Sequence, residues 1–498
     1  MRLAAVFKDN MVLQRDKQIR IFGDCKDGDE IVVTLAGITV KTESKGNRFL
    51  AVFPPLEKQM GVELYVTNGL ETITRKNIAV GEVWLAGGQS NMELSIANAK
   101  DSDKYLELAK KSDIRYYNVP RMEYKNSEFY EAEKNSEWTF HSKEKAKDWS
   151  AVAFHFAKML EEELDLTIGI IGCNLGGTSA SLWVDRQTLS SDPVTNEYVI
   201  DYDKKVGDKT EAEQKKEYDE YKEYYKIWNQ KLGEFYGKKP DGSWEDALKY
   251  AGENRWPGPM GLTNPFRLSG LYDIMLSRVA PFAIRGFIYY QGEEDTSVCH
   301  RYDAVFNMLI KAWRRYFIDD SLPFICVSLP MFWYHDAPDD KTWPVVRQAQ
   351  QNAAKKNKGV YTAIALDCGE LDNIHPTDKL PVGQRLALLA LDKVYGIPKN
   401  ADAPEVLSCS QKGGQLKVTF KNTCGGLQLK FSDKPIGFEI SYDGENFISV
   451  DAIISGDDVI ISVDETVTDV RYQWVNYGQV NLFGKNSLPA ASFWEKLS

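Results

Sequence analysis

The chain has 498 residues, 43% hydrophobic and 27% charged, with 61 Lys and Arg against 72 Asp and Glu for a formal net charge of −11. Such an apolar fraction supports a sizeable core and excludes wholesale disorder, and the length exceeds what a single core accommodates. The acidic balance argues against nucleic acid or an anionic membrane as the main partner.

The opening segment, MRLAAVFKDNMVLQR, lacks a hydrophobic leader and a small-residue cleavage site. No stretch approaches the ~18 uninterrupted apolar residues of a spanning helix. The expected location is periplasmic or secreted with a signal peptide removed, the alternative being cytoplasmic. Residues 1–80 read as an N-terminal β-sandwich-like module: QIRIFG, EIVVTLAG, ITVKTE, NRFLAVFPP and VELYVTNG alternate apolar and polar residues between Gly, Asn, Asp and Pro turns.

Residues 81–400 follow a different pattern. Short continuous apolar runs (Glu82–Ala86, Thr167–Cys173, Gly286–Tyr290, Phe324–Leu329 and Tyr361–Leu366) are separated by helix-like stretches, among them 150–163, 303–317 and 378–395. This predicts an α/β domain with an open, mostly parallel sheet covered on both faces. An insertion at about 195–250 interrupts it. Its segment EAEQKKEYDEYKEYYKIWNQKLGEFY reads as a solvated helix packed along one aromatic stripe, with a lid over the site as the alternative. Residues 401–498 return to short strands such as QLKVTF, FEISYD and DVIISV, a C-terminal β-rich module. The seven cysteines form no C-x-x-C pair and read as small buried hydrophobes.

In a doubly wound sheet, functional residues gather beyond the carboxyl ends of the strands. Four such loops stand out: Gly87-Gly88-Gln89-Ser90-Asn91-Met92, Asn174-Leu175-Gly176-Gly177-Thr178, Gln291-Gly292-Glu293-Glu294-Asp295, and Asp367 through Pro376. Ser90, approached by two glycines, is either a helix cap or a nucleophile. A nucleophile needs a base. Of the five histidines, His155 lies on the apolar face of a predicted helix, and His141, His300 and His335 have no informative neighbour. His375 follows a strand end, with Asp372 three residues earlier to orient it and Asp367 as a rival. The Ser90 amide, the Gly176-Gly177 backbone and the Gln291 side chain are the candidate oxyanion donors. Glu293, Glu294 and Asp295 would fit a glycosidase pair or a metal, but no histidine cluster accompanies them.

Together, GEVWLAGGQSNME, Gly176-Gly177-Thr178 with Trp183, Tyr290-Gln291-Gly292-Glu293, and Asp372-x-x-His375-Pro376 with Lys379, Gly383 and Arg385 resemble the sialate O-acetylesterase family of the SGNH-hydrolase superfamily, block by block and in order. The flanking β modules resemble that family too. The resemblance implies an SGNH-type, flavodoxin-like three-layer core. It also implies Ser90 as nucleophile, His375 as base, Asp372 as its orienter, and oxyanion donors from Ser90, Gly177 and the third block. Asp295 stands where that block commonly ends in Asn, which leaves Gln291 as the expected side-chain donor. Gln89, Asn91, Trp183, Glu293 and Arg255 complete the expected substrate-binding set.

The activity implied is hydrolysis of acetyl esters on sugars through an acyl-enzyme, with no cofactor or metal. An O-acetyl sialic acid would need an arginine for its carboxylate, such as Arg186, Arg255 or Arg267. Acetylxylan, the alternative, would lie on aromatic platforms such as Trp183, Trp256 or Trp333. A non-catalytic carbohydrate-binding protein is the alternative of another class.

Overall fold

The computed structural model describes residues 1–122 and 124–497. Its spine is β1 (Thr72–Gly88), whose 17 residues are buried without interruption from Ile78 onward. An unbroken buried run is what a strand covered on both faces requires. The first half of β1 pairs antiparallel with Gln59–Thr67 and parallel with Val12–Gln14. The second half pairs with strands of the central sheet. The boundary expected at residue 80 thus falls inside one continuous strand.

Five further strands run parallel to β1: β2 (Ile114–Asn118), β3 (Ile168–Asn174), β4 (Gly286–Tyr290), β5 (Phe324–Ser328) and β6 (Val360–Ile364). Their spatial order is β2-β3-β1-β4-β5-β6, with the short strand Trp138–Thr139 antiparallel at the β2 edge. Five of the six were legible as apolar runs. The exception is β2, IRYYN, whose arginine and tyrosines do not read as a buried strand.

Five helices matter to the site: α1 (Ser90–Glu93), α2 (Ala151–Leu164), α3 (Cys299–Tyr316), α4 (Thr342–Lys356) and α5 (Leu380–Lys393). They cover both faces of the sheet. Trp84 meets Phe156 of α2 edge-on at 5.1 Å. Gly87 lies on the opposite face of β1, because side chains alternate along a strand. A Cβ there would lie 2.6 Å from the Trp313 ring of α3, so this position has no space for a side chain.

The C-terminal module contains two four-stranded antiparallel sheets. Between them lies a core that includes Leu416, Val418, Phe438, Ile440, Val459 and Tyr472. The module packs against the central sheet where Phe483, Leu488 and Ala491 meet Met331, Ile364 and Leu366. The result is a mixed α/β protein with one large mixed sheet and β-rich modules.

The chain forms two compact units, one of Met1–Val119, Ser136–Ala180 and Val279–Ser498, the other of Pro120–Asn135 and Ser181–Arg278. The second contains the insertion, with helices Asn196–Val206, Glu211–Lys238 and Trp244–Ala251. Thr210 and Glu213 close the start of the 28-residue helix with reciprocal capping bonds. Tyr218, Tyr221, Tyr225 and Trp228 stack in sequence along it, with ring centroids 5.4–5.7 Å apart. This is the single aromatic stripe that the sequence predicts. Cys25, Cys173 and Cys326 are buried, and Cys424 is exposed.

Candidate active site

The carboxyl ends of β1, β3, β4 and β6 lead into the four loops singled out above. Gly88 adopts φ +138, and a Cβ there would lie 2.0 Å from the Tyr290 carbonyl oxygen. Only glycine permits this approach. It lets the Gln89 amide donate to that carbonyl (3.0 Å) and turns the chain directly into α1. Ser90 is the first residue of α1, so its amide has no acceptor within the helix.

From the β6 loop, His375 reaches Ser90: its Nε2 lies 2.8 Å from the serine Oγ, across 285 residues of sequence. The Asn373 side chain accepts the His375 amide at 3.0 Å. Burial, then the nearby Lys379 charge, hold the imidazole below its ordinary value, against an opposing pull from Glu93. A neutral imidazole in contact with a hydroxyl has the geometry of a general base.

The two candidate orienters behave differently from expectation. Asp372 adopts φ +63 and turns its carboxylate to His335, accepting from the His335 amide at 2.9 Å and lying 3.0 Å from its Nδ1. These bonds, the backbone one foremost, hold Asp372 below the usual carboxylate range. The assignment of Asp372 as the orienter of His375 is therefore corrected. Asp367 pairs through both oxygens with Arg385, at 2.5 and 2.8 Å.

Gln291 is likewise corrected as an oxyanion donor. It is fully buried, and its two amide hydrogens go to the Thr178 carbonyl (3.1 Å) and to Asp295 Oδ2 (2.5 Å). Asp295 also accepts from the Ser179 hydroxyl (2.6 Å) and the Ala180 amide (2.9 Å). These residues tie the β3 and β4 loops together. Gly176 donates its amide to Glu93, and a Cβ at Gly176 would lie 3.3 Å from that of Ser90. Gly177 follows in the left-handed region at φ +66.

Three expected substrate contacts are buried in the framework instead. Gln89 Oε1 accepts from the Gly292 and Glu294 amides at 3.2 and 3.3 Å. Asn91 Nδ2 donates to Glu293 Oε1 (2.7 Å) and to the Ile374 carbonyl (2.9 Å), while its Oδ1 accepts from Lys379 Nζ (2.5 Å). Glu293 is 6% exposed, which closes it to a sugar. Burial raises Glu293 above the usual carboxylate range and pushes Lys379 down to about 8. Trp183, fully buried in the second unit, is not a sugar platform. Arg255, also in that unit, lies 4.1 Å over the Tyr224 ring and 3.4 Å from Glu253.

Residue-by-residue reading missed three participants. Lys379 and Glu93 sit four and three residues after His375 and Ser90, spacings that helix packing also explains. His335 carried no local signal at all. His155 is the packed core residue expected of it, pushed down to about 4 by burial.

Comparison with known proteins agrees with the blocks read from the sequence. Residues 258–392 match the family described as "SASA: Carbohydrate esterase, sialic acid-specific acetylesterase". The sialate O-acetylesterase of Mus musculus is 24% identical over 100% of this chain and 94% of its own. That of Homo sapiens is 23% identical over 99% and 92%. The crystal structure of a carbohydrate acetylesterase from Xanthomonas citri shares the fold, with a TM-score of 0.78 and 24% identity over 99% of each chain. The protein is thus an esterase hydrolase, similar along its whole length to the sialate O-acetylesterases.

Proposed function

We propose that the protein removes acetyl groups from sugar hydroxyls, with Ser90 as nucleophile and His375 as general base, on a core of the SGNH-hydrolase type. The observation that carries this reading is the 2.8 Å contact between Ser90 Oγ and His375 Nε2 at the strand ends of a parallel sheet. As Ser90 Oγ attacks the acetyl carbonyl, His375 takes its proton. The oxyanion is held by the Ser90 and Gly177 amides, two backbone donors without the Gln291 side chain. A donor of this kind is worth about 3–4 kcal/mol of barrier. His375 then protonates the departing sugar oxygen, and water releases acetate by the same steps in reverse order.

The names of the mammalian relatives support O-acetyl sialic acid as the substrate. One observation favours a neutral acetylated sugar such as acetylxylan. Arg186, Arg255 and Arg267, the arginines considered for a sialic carboxylate, each face an acid: Asp203 at 2.5 Å, Glu253 at 3.4 Å and Asp273 at 3.5 Å. Acetate release from O-acetyl sialoglycans, acetylated xylan and simple acetylated sugars tests the reading. Release from the first arm alone supports sialate. Release from none, with aryl glycosides cleaved instead, would refute an esterase.

A further inference from the structure

We propose that Asn91, Lys379 and Glu293 form a positioning unit that sets His375 against Ser90, the task that Asp372 does not perform in this chain. The inference rests on the catalytic reading above. The Asn91 side chain follows the nucleophile directly and makes three contacts. One is to the carbonyl of Ile374, the residue before the base (2.9 Å). Another is from Lys379, on the far side of the base (2.5 Å). The last is to Glu293 of the β4 loop (2.7 Å). All three side chains are nearly or fully buried: Asn91 is 1% exposed, Lys379 2% and Glu293 6%. In such surroundings hydrogen bonds to charged groups are stronger and their geometry is stiff. One amide therefore fixes the start of α1 relative to both flanks of the His375 loop.

The unit also sets the charge around the base. Lys379 is the cation that acts on His375 and favours its neutral form, while Glu93, from α1, acts in the opposite sense. Lys379 in turn faces Glu293, Cys368 and Glu370. Glu293 Oε2 is buried without a hydrogen-bond partner among the described residues. A neutral residue at position 379 would lose the bond to Asn91 and also the charge that favours neutral His375.

The test uses the full chain and a chromogenic aryl acetate. It measures kcat, KM, the pH profile of kcat/KM and the unfolding temperature for Asn91→Ala, Lys379→Met, Glu293→Gln and Ser90→Ala. Asn91→Ala should lower kcat about 10- to 100-fold with KM within about threefold, the size of effect that a misplaced base produces. Lys379→Met should move the acidic limb of kcat/KM to higher pH, because His375 then protonates more readily. Glu293→Gln, nearly isosteric, keeps the test open should Lys379→Met fail to fold, and should lower kcat with KM unchanged. If Ser90→Ala is inactive while Asn91→Ala and Glu293→Gln keep wild-type kcat, the positioning role is overturned. An unmoved limb in folded Lys379→Met overturns it too. If Ser90→Ala remains active, the catalytic reading itself fails.

Discussion

At the scale of single residues, the pairing of Asp372 with His335 separates this site from a three-membered relay. Where a carboxylate orients the base, its loss costs about 10⁴-fold in kcat. Here Asp372→Asn should cost less than about 10-fold, and His335→Ala should match it, since both remove one clasp on the loop and leave the His375 contact to Ser90 intact. Steady-state kinetics of the two variants checks this. The acid side of the pH profile follows from His375. The base acts only when neutral, and its affinity for a proton lies below the ordinary 6.5, chiefly through burial. The decline of kcat/KM toward acid pH should therefore be centred below 6.5; a decline centred above 6.5 would contradict the desolvated environment. Ser90 and His375 were legible because each follows a strand end with glycines or a turn beside it. The partner of Asp372 was not. A spacing of three residues fits orienting and other local roles equally well, and the contact actually made spans 37 residues and needs a left-handed backbone.

At the scale of elements, the site depends on how closely β1 and β4 approach at their ends. Gly88→Ala would set a methyl 2.0 Å from the Tyr290 carbonyl in a backbone region alanine avoids. The expected loss of stability is about 3 kcal/mol or more, with activity lost in proportion to the displacement of Ser90. Chemical denaturation beside aryl acetate turnover reads both. Apolar continuity revealed five strands of the parallel sheet, because a strand covered on both faces has no polar alternation to obscure it. It did not reveal β2, where Arg115 is buried but donates to the Asn10 and Asn77 carbonyls of the N-terminal segment. Nor did the sequence show that Gln291 and Asp295 bond to each other and to the β3 loop, since such pairing depends on strand order.

At the scale of the molecule, the C-terminal module holds the segment whose Trp333 carbonyl and His335 contact Asp372. Asn476 accepts the Trp343 amide at 3.1 Å through its side chain, accepts the Phe332 amide at 3.0 Å through its carbonyl, and donates to Asp340 at 2.7 Å. It pins both ends of the segment that carries Trp333 and His335. Asn476→Ala should cost about 1–3 kcal/mol of stability through the buried amide left unpaired, and should lower kcat with KM little changed. Phe483→Ala, by contrast, removes packing against Met331, Ile364 and Leu366 and should cost about 3–5 kcal/mol. Two β-rich ends and a central α/β region were legible from turn spacing. The continuity of β1 across residue 80 was not, because local pattern cannot tell two adjoining strands from one long one.

The central claim is that Ser90, activated by His375, forms the covalent intermediate. Its most direct test is labelling of the intact protein with a fluorophosphonate, followed by peptide mapping. One adduct is expected, on the peptide containing Ser90, formed with parallel loss of acetyl-ester hydrolysis, absent in Ser90→Ala and strongly slowed in His375→Ala. An adduct on another residue with hydrolysis lost, or undiminished turnover by Ser90→Ala, would contradict it.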